Sequence, residues 1–243
     1  MSLVKNNLMT VVKKQYVFKL RSFSRFFLVI IATQILGMLF ALSNAGGMSA
    51  TSNEIYSFSI DYNSSIQVFI FTIACVAGIT AFLNLKEYKD IDFTFVSNRM
   101  SSNLSNIGFL VSLSLFGAIT SALSGVSIRV IKYLFISSSK IAEIGFFLTP
   151  LEIMCSIGAT FLYILLLSSV VYFCTAITRI SNVFIIVILA AVLLLPQTPI
   201  FSNLVSFYGK EHNFFFFMIK TMITEVLFFL ASILVSNNME VRG

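Results

Sequence analysis

The chain has 243 residues, of which 58% are hydrophobic and only 11% charged, with a formal net charge of +6. A soluble domain carries roughly 25% charged and 45–50% apolar residues, so a chain this apolar cannot cover a water-facing surface, and its composition predicts an integral membrane protein. The basic residues cluster at the ends of apolar runs instead of forming a stripe among aromatics, so the positive charge indicates membrane topology and excludes a nucleic-acid surface.

Residues that could support catalysis or metal binding are scarce. Cys75, Cys155 and Cys174 lie inside apolar runs without a CxxC pair, and His212 is the only histidine. Isolated thiols in apolar runs are typical of buried structural cysteines, and one histidine without a cysteine or carboxylate cluster makes no zinc site. We therefore expect no catalytic residue, no metal site and no cofactor bound by this chain.

Residues 1–25 predict an amphipathic helix that lies in the headgroup layer. Its apolar residues recur at roughly helical spacing, and its lysines occupy other faces, which would direct the basic side toward anionic lipid. The apolar set is Val4, Leu8, Val11, Val12, Leu20 and Phe23, and the basic set is Lys5, Lys13, Lys14 and Lys19. A plain basic anchor for the first span is the alternative.

Hydropathy predicts an all-α integral membrane protein with six transmembrane helices. A helix needs about 20 apolar residues to cross the hydrocarbon core, and the apolar runs do not alternate like the strands of a membrane barrel. The predicted transmembrane domain covers residues 26–236 and is followed by a tail at 237–243. Its spans are 26–43, 65–84, 106–127, 149–173, 181–198 and 214–236.

The distribution of lysine and arginine predicts that both termini are cytoplasmic, because these residues favour cytoplasmic loops. With the N-terminus inside, the cytoplasmic segments hold Lys5, Lys13, Lys14, Lys19, Arg21, Arg25, Lys86, Lys89, Arg99, Arg179 and Arg242. The outer segments hold only Arg129, Lys132, Lys140 and Lys210. Because most of these exceptions fall in 128–148, that stretch is either an outer loop or an interfacial helix.

The first cytoplasmic loop, residues 85–106, combines charges of both signs with aromatic side chains. Such a mixture is typical of a protein–protein contact, so we predict that the loop meets a partner protein. The short second cytoplasmic loop, residues 175–182, offers Arg179 as a further contact.

Small residues mark helix-packing faces in the first and third spans, because they let helix backbones approach closely in lipid. The two stripes are Thr33, Gly37 and Ala41, and Ser114, Gly117, Ala118, Ser121, Ala122 and Gly125. Packing within the chain and packing between subunits are both compatible with this pattern.

Four polar residues lie inside the spans: Gln34, Gln67, Lys220 and Glu225. A charge at mid-membrane costs about 2.5–3.5 kcal/mol. Lys220 is near the outer end of its helix and would extend to the headgroups. Glu225 lies deeper, about 140° around the helix from Lys220, and is predicted to face another helix or an aqueous path, or to be protonated.

The end of the fifth span predicts an outer gate. Pro196 and Pro199 stop the helix near the outer surface, and the apolar residues 200–208 are too few to cross, which predicts a re-entrant or interfacial element. An aromatic run follows, made of Phe214, Phe215, Phe216 and Phe217. We expect this run to gate a substrate path that also includes Gln34, Gln67 and Glu225, with simple lipid contact as the alternative.

This plan resembles the ABC-2 type permease family, whose members combine an interfacial N-terminal helix, six spans, a large first cytoplasmic loop and a broken element before the last span. The segment Asp92-Phe-Thr-Phe-Val-Ser-Asn-Arg99 is similar to a sequence motif in the first loop of Gram-positive members. Here Val96 stands where a proline is frequent, and Asn98 is an added residue.

The resemblance implies a half-transporter of the cytoplasmic membrane. Two permease chains, identical or homologous, would surround a central path, and two cytoplasmic ABC ATPase subunits would bind ATP and Mg²⁺. The chain itself has no GxxxxGK[ST] loop to hold phosphates. The first loop would be the coupling helix, placing Glu87, Tyr88, Asp90, Asp92, Phe93, Phe95 and Arg99 at the ATPase surface, with Arg179 in a second contact.

An apolar, aromatic path favours export of a hydrophobic or amphipathic substrate, because a polar solute would lose its hydrogen bonds to water there. The Phe-rich composition is similar to that of staphylococcal permeases that export phenol-soluble modulins, which are amphipathic peptides. A non-transporting immunity or assembly subunit and a small secondary transporter are the alternative functions.

Overall fold

A computed structural model describes residues 8–43, 64–84, 99–135, 150–178, 198–209 and 214–238, with isolated helical positions between 184 and 194. The described residues are helical, with no strand among them. Their helices are α1 (Leu8–Ser22), α2 (Arg25–Ser43), α3 (Ser64–Leu83), α4 (Arg99–Phe135), α5 (Pro150–Thr178), α6 (Pro199–Gly209) and α7 (Phe214–Asn238).

Five of these helices, α2, α3, α4, α5 and α7, are long and apolar enough to cross a membrane. They lie at five of the six predicted positions. Their outward faces carry large apolar side chains such as Leu28, Leu39 and Leu234, as expected of helices whose surroundings are lipid. The remaining predicted span, 181–198, lies outside the described residues apart from the isolated positions.

Helix α4 lies at the centre of the described bundle and packs against α1, α2, α3, α5 and α7. Its 37 residues extend about 55 Å at about 1.5 Å per residue. Phe109, Leu110 and Leu113 are fully buried and form the core together with Ile30 of α2 and Val76 of α3. The centre of the bundle is therefore closed by apolar packing within one chain.

The small-residue stripes lie inside this packing. Gly117 of α4 approaches Thr72 of α3, and Gly37 of α2 approaches the backbone of Val68 so closely that an added Cβ would lie 3.1 Å from its Cα. Of the two alternatives for these stripes, the described contacts favour packing within the chain.

The bounds of α4 differ from the predicted span of 106–127. Residues 99–105 were predicted to lie in a loop, and residues 128–135 to belong to an outer loop or an interfacial helix, but both stretches continue the helix. The N-terminal extension is polar, but its serines and asparagines are buried against α1 and α5 instead of facing water. Residues 128–135 are thus neither a loop nor a separate interfacial helix, and 136–148 lie outside the described residues.

Candidate coupling and substrate sites

A cluster of buried polar side chains joins four helices at one end of the bundle, where α1, α3 and α5 end and α4 begins. We call it the basal network. Its members are Lys19 of α1, Asn84 just after α3, Ser102, Asn103, Ser105 and Asn106 of α4, and Tyr172 and Thr175 of α5.

Lys19 connects α1 to α4. Its side chain is 1% exposed, and its ammonium group donates hydrogen bonds to the Ser105 hydroxyl at 2.9 Å, to the Asn106 side-chain oxygen and to the Ser102 carbonyl at 3.4 Å. The prediction that Lys19 faces anionic lipid is therefore wrong. The first turns of α4 offer acceptors at this depth, so the lysine packs against protein and not against headgroups.

Tyr172 connects α4 to α5. Its hydroxyl donates to the Asn103 side-chain oxygen at 3.0 Å and accepts from the Asn106 amide at 3.5 Å. Asn84 continues the network into α3, because its amide donates to the Thr175 hydroxyl at 2.6 Å and to the Tyr172 carbonyl at 3.4 Å. These hydrogen bonds are partners that lipid cannot supply, although the Asn103 amide nitrogen is buried without a partner among the described residues.

The basal network flanks the predicted partner loop on both sides. Asn84 immediately precedes residues 85–98, and the α4 members follow within two turns of Arg99, the first residue of α4. The predicted coupling residues Glu87, Tyr88, Asp90, Asp92, Phe93, Phe95 and Arg179 lie outside the described residues. The two ends of this loop are therefore adjacent in sequence to side chains that connect α1, α3, α4 and α5.

The predicted path residues Gln34, Gln67 and Glu225 lie on three different helices, α2, α3 and α7. Gln34 is buried and donates to the Thr72 hydroxyl and the Gly117 carbonyl, both at 3.2 Å, so it fastens α2 to α3 and α4. Gln67 lies on α3, and its side-chain oxygen is buried without a hydrogen-bond partner among the described residues.

The aromatic run at the start of α7 divides between two faces. Phe217 is 5% exposed, and its ring centroid lies 4.9 Å from that of Tyr163 on α5. Phe214 packs beside Gly158 of α5, where an added Cβ would lie 3.0 Å from the ring. Phe215 and Phe216 are 63% and 62% exposed. Half of the predicted gate therefore packs on α5 and half faces outward.

Helix α6 is the short element predicted between the last two spans. Its 11 residues reach about 16 Å, roughly half of the hydrocarbon core. The Tyr163 hydroxyl donates to the Tyr208 carbonyl at 2.9 Å. Lys220 of α7 donates to the Phe207 carbonyl and lies 3.1 Å from the centroid of the Phe207 ring. Lys220 thus connects α7 to α6. The sequence had predicted only a contact between this lysine and the lipid headgroups.

Glu225 lies on the buried stripe of α7. This stripe repeats at helical spacing and consists of Phe217, Thr221, Glu225, Phe229, Ser232 and Ser236. One carboxyl oxygen of Glu225 is buried without a hydrogen-bond partner among the described residues. Because α7 packs on α5 and α4, the carboxyl group faces the bundle and not lipid, as one of the predicted alternatives required.

Sequence reasoning missed the basal network because the Ser and Asn residues at 101–106 were assigned to a loop. The available signal was the high density of serine and asparagine just before an apolar run. Polar groups buried in a membrane helix need hydrogen-bond partners. Among the described residues, no group of three histidine, cysteine or acidic side chains could hold a metal ion.

Comparison with known proteins gave no match. No protein-family model matches the chain, and neither the curated proteins nor the solved structures include a similar one.

Proposed function

We propose that this chain is the membrane-spanning permease subunit of an ATP-driven exporter of the ABC-2 type. It pairs with a second permease chain. Transport is driven by ATP hydrolysis in two ATPase subunits that dock on its cytoplasmic loops. Its substrate is hydrophobic or amphipathic, with amphipathic peptides as the favoured class.

The basal network is the observation that carries this proposal. A permease without its own nucleotide site needs a route from a cytoplasmic contact into its spans. Here the two ends of the loop at 85–98 enter a hydrogen-bonded cluster that includes α1 and α5. In a low-dielectric interior such a hydrogen-bonded network resists partial disruption. A displacement of the loop would therefore shift the connected helices together, and not one side chain alone.

The sequence also supports a permease chain that is separate from its ATPase subunits. It contains no phosphate-binding GxxxxGK[ST] loop, so ATP would be hydrolysed by a partner. The spans carry few charges, which suits a substrate that keeps its apolar face against protein or lipid while only its polar face needs water.

The first experiment is purification of the tagged chain from its native membrane, followed by identification of the bound proteins. We expect a P-loop ATPase and a second permease chain. Purification without any ATPase would reject the permease assignment and leave the immunity or assembly role. Normal release of amphipathic peptides by a deletion strain would reject only the substrate class.

The variant Tyr172→Phe tests the coupling route. It preserves the ring but removes the hydroxyl shared by Asn103 and Asn106, and leaving buried polar groups unpaired costs about 1–3 kcal/mol. We expect the ATPase to stay bound while ATP-driven substrate release falls several-fold. Tyr16→Phe is the matched control, because its hydroxyl bonds to Ser112 at 2.6 Å outside the network. Equal transport by both variants would contradict the coupling route.

A further inference from the structure

The turn between α1 and α2 forms a small cleft with an unusual lining. It has a volume of about 480 Å³ and is lined by Arg21, Ser22, Phe23, Ser24, Arg25 and Phe26. Its lining therefore combines two arginines and two serines with two phenylalanines.

The charge of this cleft is positive and has no local counterion in the sequence. Arg21 and Arg25 are exposed, one at the end of α1 and the other at the start of α2. The first acidic residue of the chain is Glu54, and no acidic side chain of the described residues lines the cleft. Guanidinium groups bind planar oxyanions with paired hydrogen bonds, and phosphate is the ligand they hold best.

The backbone of the turn adds a donor. The amides of Phe26 and Phe27 are bonded to the carbonyls of Phe23 and Ser24. No backbone carbonyl of the described residues accepts from the Ser24 amide, which lies one residue before the positive end of α2. A negatively charged group in the cleft would therefore meet an amide as well as two guanidinium groups.

The apolar side of the cleft is rigid and continues along α2. The rings of Phe23 and Phe26 stack at 5.6 Å, and Phe23 contacts Phe109 of the core edge-on at 6.0 Å. Beyond them, Leu28 and Val29 face outward on the helix that begins at Arg25 and is long enough to cross the membrane. An arginine at the start of a spanning helix is placed to meet headgroup phosphates, and the apolar face of that helix would then lead toward the acyl chains.

We propose that this cleft binds the phosphate of an anionic lipid. Arg21, Arg25 and the Ser24 amide hold the phosphate oxygens, Phe23 and Phe26 contact the glycerol region, and the acyl chains lie along α2. By the predicted topology the lipid belongs to the cytoplasmic leaflet. This lipid contact differs from the general basic face expected for α1, since Lys19 of that face is buried against α4.

The test uses the full chain in nanodiscs that contain phosphatidylcholine and phosphatidylglycerol, and native mass spectrometry counts the lipids that remain bound. We expect the wild type to retain phosphatidylglycerol over phosphatidylcholine. The double variant Arg21→Gln/Arg25→Gln should lose that preference by about ten-fold or more, since each basic residue near a membrane surface contributes about 1 kcal/mol.

The matched control is Lys13→Gln/Lys14→Gln, which removes the same charge from exposed positions of α1. Equal losses in the two double variants, or no preference in the wild type, would overturn the proposal, because either result means that no defined site exists. Displacement of phosphatidylglycerol by millimolar inorganic phosphate would overturn the lipid assignment and reassign the cleft to free phosphate.

A photoactivatable phosphatidylglycerol keeps the proposal testable if the arginine variant does not fold. Irradiation of the wild type should label the peptide that contains residues 21–26, and excess unlabelled phosphatidylglycerol, but not phosphatidylcholine, should suppress the label. Labelling spread evenly over α2, α3 and α7 would contradict the site.

Discussion

The ammonium group of Lys19 has three donor positions, and α4 supplies acceptors for them from Ser105, Asn106 and Ser102. A lysine carries no acceptor of its own, so its burial depends on such oxygens. The oxygens depend on the lysine in turn, because a buried amide oxygen without a donor loses the hydrogen bonds that water would give.

The variant Lys19→Met should therefore destabilise the chain by about 1–3 kcal/mol. The methionine fills the space of the stem but leaves the Asn106 oxygen without this donor. The measurement is the apparent melting temperature in detergent, which should fall for Lys19→Met and stay constant for the exposed control Lys14→Met. The double variant Lys19→Met/Asn106→Leu should recover part of the loss, because both polar partners are then absent. A stable single variant would contradict the pairing.

Gly37 and Gly78 form a natural pair of tests for close helix packing. An added Cβ at Gly37 would meet the Val68 backbone at 3.1 Å, whereas at Gly78 nothing lies within 4 Å. We expect Gly37→Leu to force α2 from α3 and to lower stability by about 1–3 kcal/mol. Gly78→Leu should be neutral or stabilising, because leucine favours a helix over glycine by about 1 kcal/mol. Thermal unfolding in detergent would distinguish them, and equal effects would refute the packing argument.

At the scale of the element, α7 presents two unlike faces. Its inward stripe contains Phe217 and Glu225, while Phe215 and Phe216, two residues and one residue before Phe217, face outward. A run of four phenylalanines has no hydrophobic periodicity, so its sequence could not show which rings pack on α5. Which rings pack inward is decided by the parallel packing of α7 on α5, which is a feature of the tertiary structure.

The two faces predict different outcomes of alanine substitution. Phe217→Ala should cost about 3–5 kcal/mol, because it removes a buried ring, whereas Phe215→Ala should leave stability nearly unchanged. If the run also gates export, Phe214→Ala should alter release of an amphipathic peptide at unchanged membrane level. Cellular peptide release and the melting temperature would be measured together. An effect of Phe215→Ala as large as that of Phe217→Ala would contradict the inward packing.

The sequence predicted the existence of the described helices better than their ends and contacts. Apolar runs of about 20 residues are a strong signal, and they placed α2, α3 and the start of α7 closely. The start of α4 was misplaced because the Ser and Asn residues at 101–106 are buried by partners from distant segments. Hydropathy cannot distinguish a polar residue that faces water from one that faces Lys19 or Tyr172.

At the scale of the whole molecule, ring contacts fix the directions of the last helices. Gly158 lies beside Phe214, Tyr163 beside Phe217 and Tyr172 beside Phe229. Because the residue numbers of the contacting positions increase together along both helices, α5 and α7 run parallel. Thr178 lies at the basal end, where α5 ends, whereas Tyr163, near the middle of α5, donates to Tyr208 of α6. The span at 181–198, which would lie between these two elements in the sequence, stays a prediction.

The same directions place the start of α2 and the end of α7 at the basal end, and the bias of basic residues predicts that this end faces the cytoplasm. Cysteines introduced at Ser52 and Ser206 should react with an impermeant thiol reagent from outside intact cells, while cysteines at Ser97 and Asn238 should react only after permeabilisation. The background should carry serine at Cys75, Cys155 and Cys174, which are free thiols. Labelling of Asn238→Cys in intact cells would mean an odd number of crossings, which would remove the span at 181–198 and place the two ends of the chain on opposite sides of the membrane.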